Sequence, residues 1–146
     1  MKGRIKILVW MLGLAAWAGT AWAQEVVVIA HPSVPVDTIS QAQLLNFYTG
    51  DVQSWDNKMQ VVVYDLKVRT EVRDTFYDFL GKTSSRMRSI WLKRKLSGEG
   101  DPPESFETEE EVVAHVARTQ GALGFVSATN VNGAVKILTE IPLADQ

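Results

Sequence analysis

Arg69, Thr70 and Arg73 fall together, where the chain passes from the apolar run at residues 61–64 into an amphipathic stretch that begins at residue 71. Threonine is a helix-capping residue, and a helix that starts beyond it presents unpaired backbone N–H groups and partial positive charge. Such a start suits an anion. The Thr70 hydroxyl and the helix N–H groups would hold it, and the two guanidinium groups would neutralise it. Ser33 follows the first apolar run, at residues 25–30, and offers a further hydroxyl at a strand end. Ser33, Arg69, Thr70 and Arg73 are therefore the candidate ligand-binding residues. The plainer alternative is ordinary capping by Thr70 between two solvated arginines.

Other chemistry is sparsely represented. The chain has two histidines and no cysteine. His31 ends an apolar run, and His115 lies between Glu111 and Arg118 on a predicted helix, where a surface position is expected. No paired-histidine metal motif, nucleophile elbow or glycine-rich phosphate loop occurs. Glu109, Glu110 and Glu111 are consecutive, so on a helix they splay in different directions; they complement the positive helix N-terminus rather than converge on a metal. The expectation is a binding protein without cofactor or metal, and not an enzyme.

The elements that must place these residues follow from local pattern. Residues 25–30 read as a strand buried on both faces, the parallel-sheet pattern. Ser40 with Gln43 forms a capping box, and Gly50 ends that helix. Residues 61–64 form a second buried strand. From the Thr70 cap, Val72, Phe76, Phe79 and Leu80 recur at helical spacing, and Gly81 is the stop. A helix over 85–96 turns Met87, Ile90 and Trp91 inward, with Arg94 in line with them and needing a carboxylate or ligand partner. Thr108 and Glu111 open a helix through Arg118, with Gly121 as its stop. Residues 123–126 and 134–138 are strands, the second preceded by the Asn132-Gly133 turn. The order β-α-β-α-α-α-β-β argues an α/β layered domain. Charge is segregated: Lys82, Arg86, Arg88, Lys93, Arg94 and Lys95 form a basic block, followed by acids from Glu99 to Glu111. Trp55 and Trp91 are expected in or beside the core.

The start of the chain reads differently from the rest. Lys2, Arg4 and Lys6 precede an apolar run over 7–18, and Ala21-Trp22-Ala23 fits a small-x-small cleavage site. Residues 1–23 are expected to be a secretory signal peptide, leaving 24–146 as one domain in the periplasm. The run is short for a bilayer span, which takes about 20 residues. Without Lys2, Arg4 and Lys6 the formal charge of −2 becomes −5, which argues against nucleic acid or anionic membrane as partner.

Four stretches in order carry a resemblance: ISQAQLLNFYTGDVQSW, VVVYDLKVRTEVRDTFYDFLG, SGEGDPP and TQGALGFV. The chain resembles a short, single-lobe relative of the phosphate ABC transporter substrate-binding proteins, within the type 2 periplasmic-binding-protein superfamily. That implies a three-layer α/β single lobe and a solute-binding role outside the cytoplasm, with a small, phosphate-like anion as ligand. In that family an arginine near the strand end and a Ser-Gly-Thr at the helix start hold the anion. On this chain Thr70 matches the serine, Glu71 falls on the glycine, Val72 on the threonine, and Asp65 stands where the arginine is expected. A bare carboxylate about 4 Å from an anion costs on the order of 4 kcal/mol at an effective dielectric near 20. The resemblance also implies closure of two lobes over a ligand, so a second subunit or a protein partner would complete the cleft. The alternative is a cell-envelope protein-interaction module that has lost phosphate binding.

Overall fold

The computed structural model describes residues 25–142, so the expected signal peptide lies outside the described residues. In chain order the elements are β1 (Val26–Ala30), α1 (Gln41–Thr49), β2 (Val62–Leu66), α2 (Glu71–Leu80), α3 (Ser84–Leu96), β3 (Glu104–Phe106), α4 (Glu109–Arg118), β4 (Ala122–Ser127) and β5 (Lys136–Ile141). The strands form one sheet in the order β3-β2-β4-β1-β5.

Helix starts follow the local capping chemistry. Ser40 accepts from the Gln43 backbone while the Gln43 side chain accepts from Ser40 N–H, and Gly50 closes α1 in the left-handed conformation at φ 77°. Thr70 caps α2 by accepting from Arg73 N–H, and Gly81 ends it at φ 71°. Thr83 caps α3, which adds Ser84 to the expected span. Thr108 caps α4, whose end is Thr119; Gly121 lies beyond it, in the turn into β4, rather than serving as the stop. β3 is absent from the sequence-based order, because three residues after a Pro-Pro pair carry no readable period.

The sheet lies between two helical layers. Gly124 faces α4, where an added Cβ would meet Val112 at 2.6 Å. Its neighbour Phe125 points to the opposite face, as alternate strand residues must, and stacks on Phe76 of α2 at 4.0 Å between ring centroids. Tyr48 of α1 packs edge-on against Phe76 at 4.8 Å. Each such buried side chain contributes about 1.5–3 kcal/mol of transfer free energy. This is a single three-layer α/β lobe with one core.

Strand direction departs from the parallel reading of the first strand. β1 runs antiparallel to both neighbours, β4 and β5, whereas β2 runs parallel to β4 and β3. All five residues of β1 are buried. Burial on both faces comes from the helical layers on either side of the sheet, and an apolar run reports that burial without reporting direction.

Candidate anion-binding site

The direction of β1 decides which candidate residues meet. His31 N–H donates to Ala122 O at 3.0 Å, so the end of β1 lies at the start of β4. Val62, which opens β2, pairs with the same Ala122. Ser33 therefore sits at the opening end of β2, and Arg69, Thr70 and Arg73 lie beyond its closing end. Four strand steps of about 3.3 Å, roughly 13 Å, separate those ends. The four residues do not form one site. Ser33 is instead tied into its own turn: its Oγ lies 2.7 Å from His31 Nδ1 and accepts from Gly121 N–H at 3.2 Å.

At the closing end of β2 a connected network stands in place of a bare anion cradle. Arg73 reaches back from the first turn of α2 to Asp65, with Nε 3.2 Å from Oδ1 and Nη2 3.3 Å from Oδ2. Its Nη1 donates to Ser84 Oγ at 2.9 Å, and Nη2 also donates to Tyr77 Oη at 3.3 Å. The Tyr77 hydroxyl donates to Asp65 Oδ2 at 2.5 Å, and Leu66 N–H donates to Oδ1 at 2.7 Å. Four of the five guanidinium N–H donors are thereby committed. Burial opposes the Arg73 charge, but the hydrogen bond and charge of Asp65 outweigh it and raise its pKa. Asp65 is thus neutralised by a partner of its own, and the repulsion expected of a bare carboxylate is not present in that form.

The remaining predicted residues are placed as follows. Thr70 Oγ accepts from Arg73 N–H at 3.2 Å and so acts as the α2 cap. Arg69 is an exposed side chain 3.3 Å from Asp74. Sequence reasoning missed the Asp65–Arg73 pair, Tyr77 and Ser84. A carboxylate closing a strand and a guanidinium one turn into the next helix were a usable signal. Arg94 has the carboxylate partners it was expected to need, Asp51 and Glu99. His115 is not simply on the surface: β3 lays Phe106 over it, 4.0 Å away and nearly parallel.

A trough of about 510 Å³ opens beside this network, between α2 and α3. Lys67, Arg69, Arg73, Lys82 and Arg88 line it, against the two acids Asp74 and Asp78. It also receives Ser84 and Ser85, the first residues of α3. Helix α3 has no acid in its first turn, whereas α2 has Glu71 and Asp74. The positive end of α3 therefore has no acid to offset it, although Thr83 Oγ1 caps it by accepting from Arg86 N–H. Among the described residues no group of three or more histidine, aspartate or glutamate side chains is placed to hold a metal.

Two buried phenols set a pH limit on this region. Burial and then the charge of Asp65 raise the pKa of Tyr77 far above its ordinary 10.0. Tyr48, fully buried and donating to Tyr64 O at 2.9 Å, is raised by the same causes. Above pH 10 the unfolded chain releases these protons while the folded chain keeps them. The stability they confer is therefore complete below that pH and falls as pH rises through the folded values. The expected outcome is a loss of far-UV circular dichroism above pH 10 that coincides with tyrosinate absorbance, and a shallower loss in Tyr77→Phe.

No family model and no curated protein matches the chain. Solved structures do. An ABC-type phosphate transport receptor from Vibrio cholerae superposes with a TM-score of 0.64 at 18% identity, over 79% of this chain and 45% of that one. A putative phosphate ABC transporter substrate-binding protein from Clostridium perfringens, with bound phosphate, gives 0.65 and 18%, over 79% and 44%. PstS from Borrelia burgdorferi gives 0.60 and 12%, over 80% and 47%. The chain thus has the fold of one part of phosphate-binding receptors and spans less than half the length of each. These neighbours are binding proteins, and among the described residues no helix is long and apolar enough to cross a membrane.

Proposed function

We propose that this protein is a secreted, periplasmic solute-binding protein that holds a small anion, phosphate or an organic phosphate, in the trough between α2 and α3. The observation that carries this reading is the gathering of five cations, of which Arg69 and Arg73 are paired with Asp74 and Asp65, around the acid-free start of α3 in a chain whose net charge is negative. Ser84 and Ser85 present hydroxyls and early helix N–H groups. Lys82, Arg88, Lys67 and Arg69 line the trough with them, and Arg73 donates to Ser84 Oγ. The fold it shares with a phosphate-bound structure supports the same ligand class. The site candidates of the sequence enter this proposal unequally. Arg69 and Arg73 contribute charge, Thr70 fixes the start of α2, and Ser33 stands apart.

Titration calorimetry with inorganic phosphate and sulfate tests it. Saturable heat is expected with phosphate. In Lys82→Glu it falls by about tenfold or more in affinity, since reversing one nearby charge at surface dielectric is worth more than 1.4 kcal/mol. No heat at millimolar phosphate would overturn the reading.

Export is the second part of the proposal. A leader over 1–23 would be removed between Ala23 and Gln24. N-terminal sequencing of the protein from a periplasmic fraction is expected to begin at Gln24, and an intact Met1 on recovered protein would count against it.

A further inference from the structure

A second groove, about 310 Å³, runs on the far side of the Asp65–Arg73 pair, between α3 and the loop that leads into β3. Its walls are apolar: Met87, Trp91 and Leu92 from α3, and Pro102 and Pro103 from the loop. Trp91 is fixed in place, its indole N–H donating to Tyr48 O at 2.8 Å. Arg88, Leu92 and Lys95 recur at helical spacing, so they form one stripe along the groove. Leu92 is 56% exposed, and Leu96, one turn on, is 80% exposed. An apolar ridge thus continues out of the groove.

The charge that α3 brings to this ridge has one sign, while the loop beyond it carries Glu99, which pairs with Arg94, and Asp101. Helix α3 carries five basic residues and no acidic one. Among the described residues only Arg94 of these is paired with carboxylates, Asp51 and Glu99. Among the described residues Asp65 is the one acid lining the groove, and Arg73 already pairs with it.

We propose that this groove docks a short acidic segment of a protein partner. The segment lies extended, seats an apolar side chain against Trp91, Leu92 and the two prolines, and sets carboxylates on Arg88 and Lys95. A segment that mixes apolar and acidic residues supplies both kinds of contact, because Arg88 and Lys95 line the groove together with Leu92. A small inorganic anion would leave the apolar walls and the Leu92–Leu96 ridge unused. A second copy presenting the same face would bring one acid-free basic helix against another, which repels. Arg88 lines both cavities, but Leu92, Lys95 and the prolines line this groove and not the trough, so variants at Leu92 and Lys95 test the groove separately from the anion reading.

Fluorescence anisotropy with a fluorescein-labelled peptide of alternating glutamate and leucine tests it. The expected result is saturable binding that weakens with salt. Leu92→Gln and Lys95→Glu should each weaken it about tenfold or more. Both side chains are exposed, so melting temperature and phosphate heat should not move. Lys82→Glu should lose phosphate and keep the peptide. The proposal is overturned by absence of saturable binding, or by equal binding of a peptide with glutamine for glutamate. It also fails if Leu92→Gln has no effect, if Lys82→Glu abolishes peptide and phosphate together, or if sedimentation shows self-association that Leu92→Gln removes.

Discussion

Replacing Arg73 with alanine is expected to destabilise the protein by about 3–5 kcal/mol, because breaking a buried ion pair strands the partner charge. The Arg73 and Asp65 side chains are 17% and 10% exposed. Without the guanidinium, Asp65 keeps only Tyr77 Oη and Leu66 N–H for its charge. Ser84 also loses its donor, at the start of α3. A domain of this size has roughly 5–15 kcal/mol in total, so urea denaturation should show a large fall in midpoint. The double variant Asp65→Leu with Arg73→Met is expected to recover most of the loss, since an apolar pair removes two desolvation penalties together. A cost below about 1 kcal/mol for Arg73→Ala would mean that the pair behaves as a solvated surface contact. Phosphate calorimetry on a folded double variant would then separate the scaffold role of this pair from any direct contact with the anion.

Gly121→Ala should be as damaging for a different reason. The residue sits at φ 76°, and a Cβ there would lie 2.2 Å from the backbone oxygen of Gln60. Its own carbonyl accepts from Trp55 Nε1 at 3.0 Å and from Val62 N–H at 3.2 Å. The left-handed conformation alone costs about 1–2 kcal/mol for a residue with a side chain. The collision with backbone must in addition displace the turn that carries both hydrogen bonds. Loss of about 3 kcal/mol or more is expected, at the severe end for a single substitution. Two other alanine substitutions isolate the causes. Gly81 shares the conformation, φ 71°, with open space around it, so Gly81→Ala should cost about 1 kcal/mol. Gly133 has neither a positive φ nor a near neighbour, and Gly133→Ala should stay within about 0.5 kcal/mol of the parent. Equal costs at positions 81 and 121 would show that the Gln60 contact relaxes freely.

The legible parts of this molecule were those written within one helical turn. Ser40 with Gln43, Thr70 with Arg73 N–H and Thr108 with Glu111 N–H are contacts three residues apart, and each marks a real helix start. The stripe of Val72, Phe76 and Leu80 faces the core as its spacing predicted, although Tyr77 replaces Phe79 among its fully covered members. β3 escaped notice because a short edge strand shows no alternation. It is recognised only once Tyr64, Asp65 and Leu66 pair with Glu104, Ser105 and Phe106.

The candidate site was legible as chemistry and not as geometry. Arg69, Thr70 and Arg73 do gather where β2 passes into α2, because they are neighbours in sequence. Ser33 was assigned to the same end on the assumption that β1 runs parallel to β2, and an apolar strand pattern is the same in either direction. The pairing of Asp65 with Arg73 joins two adjacent elements, and the arrival of Ser84 and Tyr77 completes it. From this sequence alone came the α/β class, the caps of α1, α2 and α4, the glycine stops of α1 and α2, the α2 core stripe and the segregation of charge. Each depends on hydrogen bonds and burial within a few residues. Tertiary structure alone decided the direction of β1, the separation of Ser33 from the arginines, the commitment of Arg73 to Asp65 and the exposed ridge of Leu92 and Leu96. Those depend on which distant segments pair, and a local pattern is compatible with more than one such pairing.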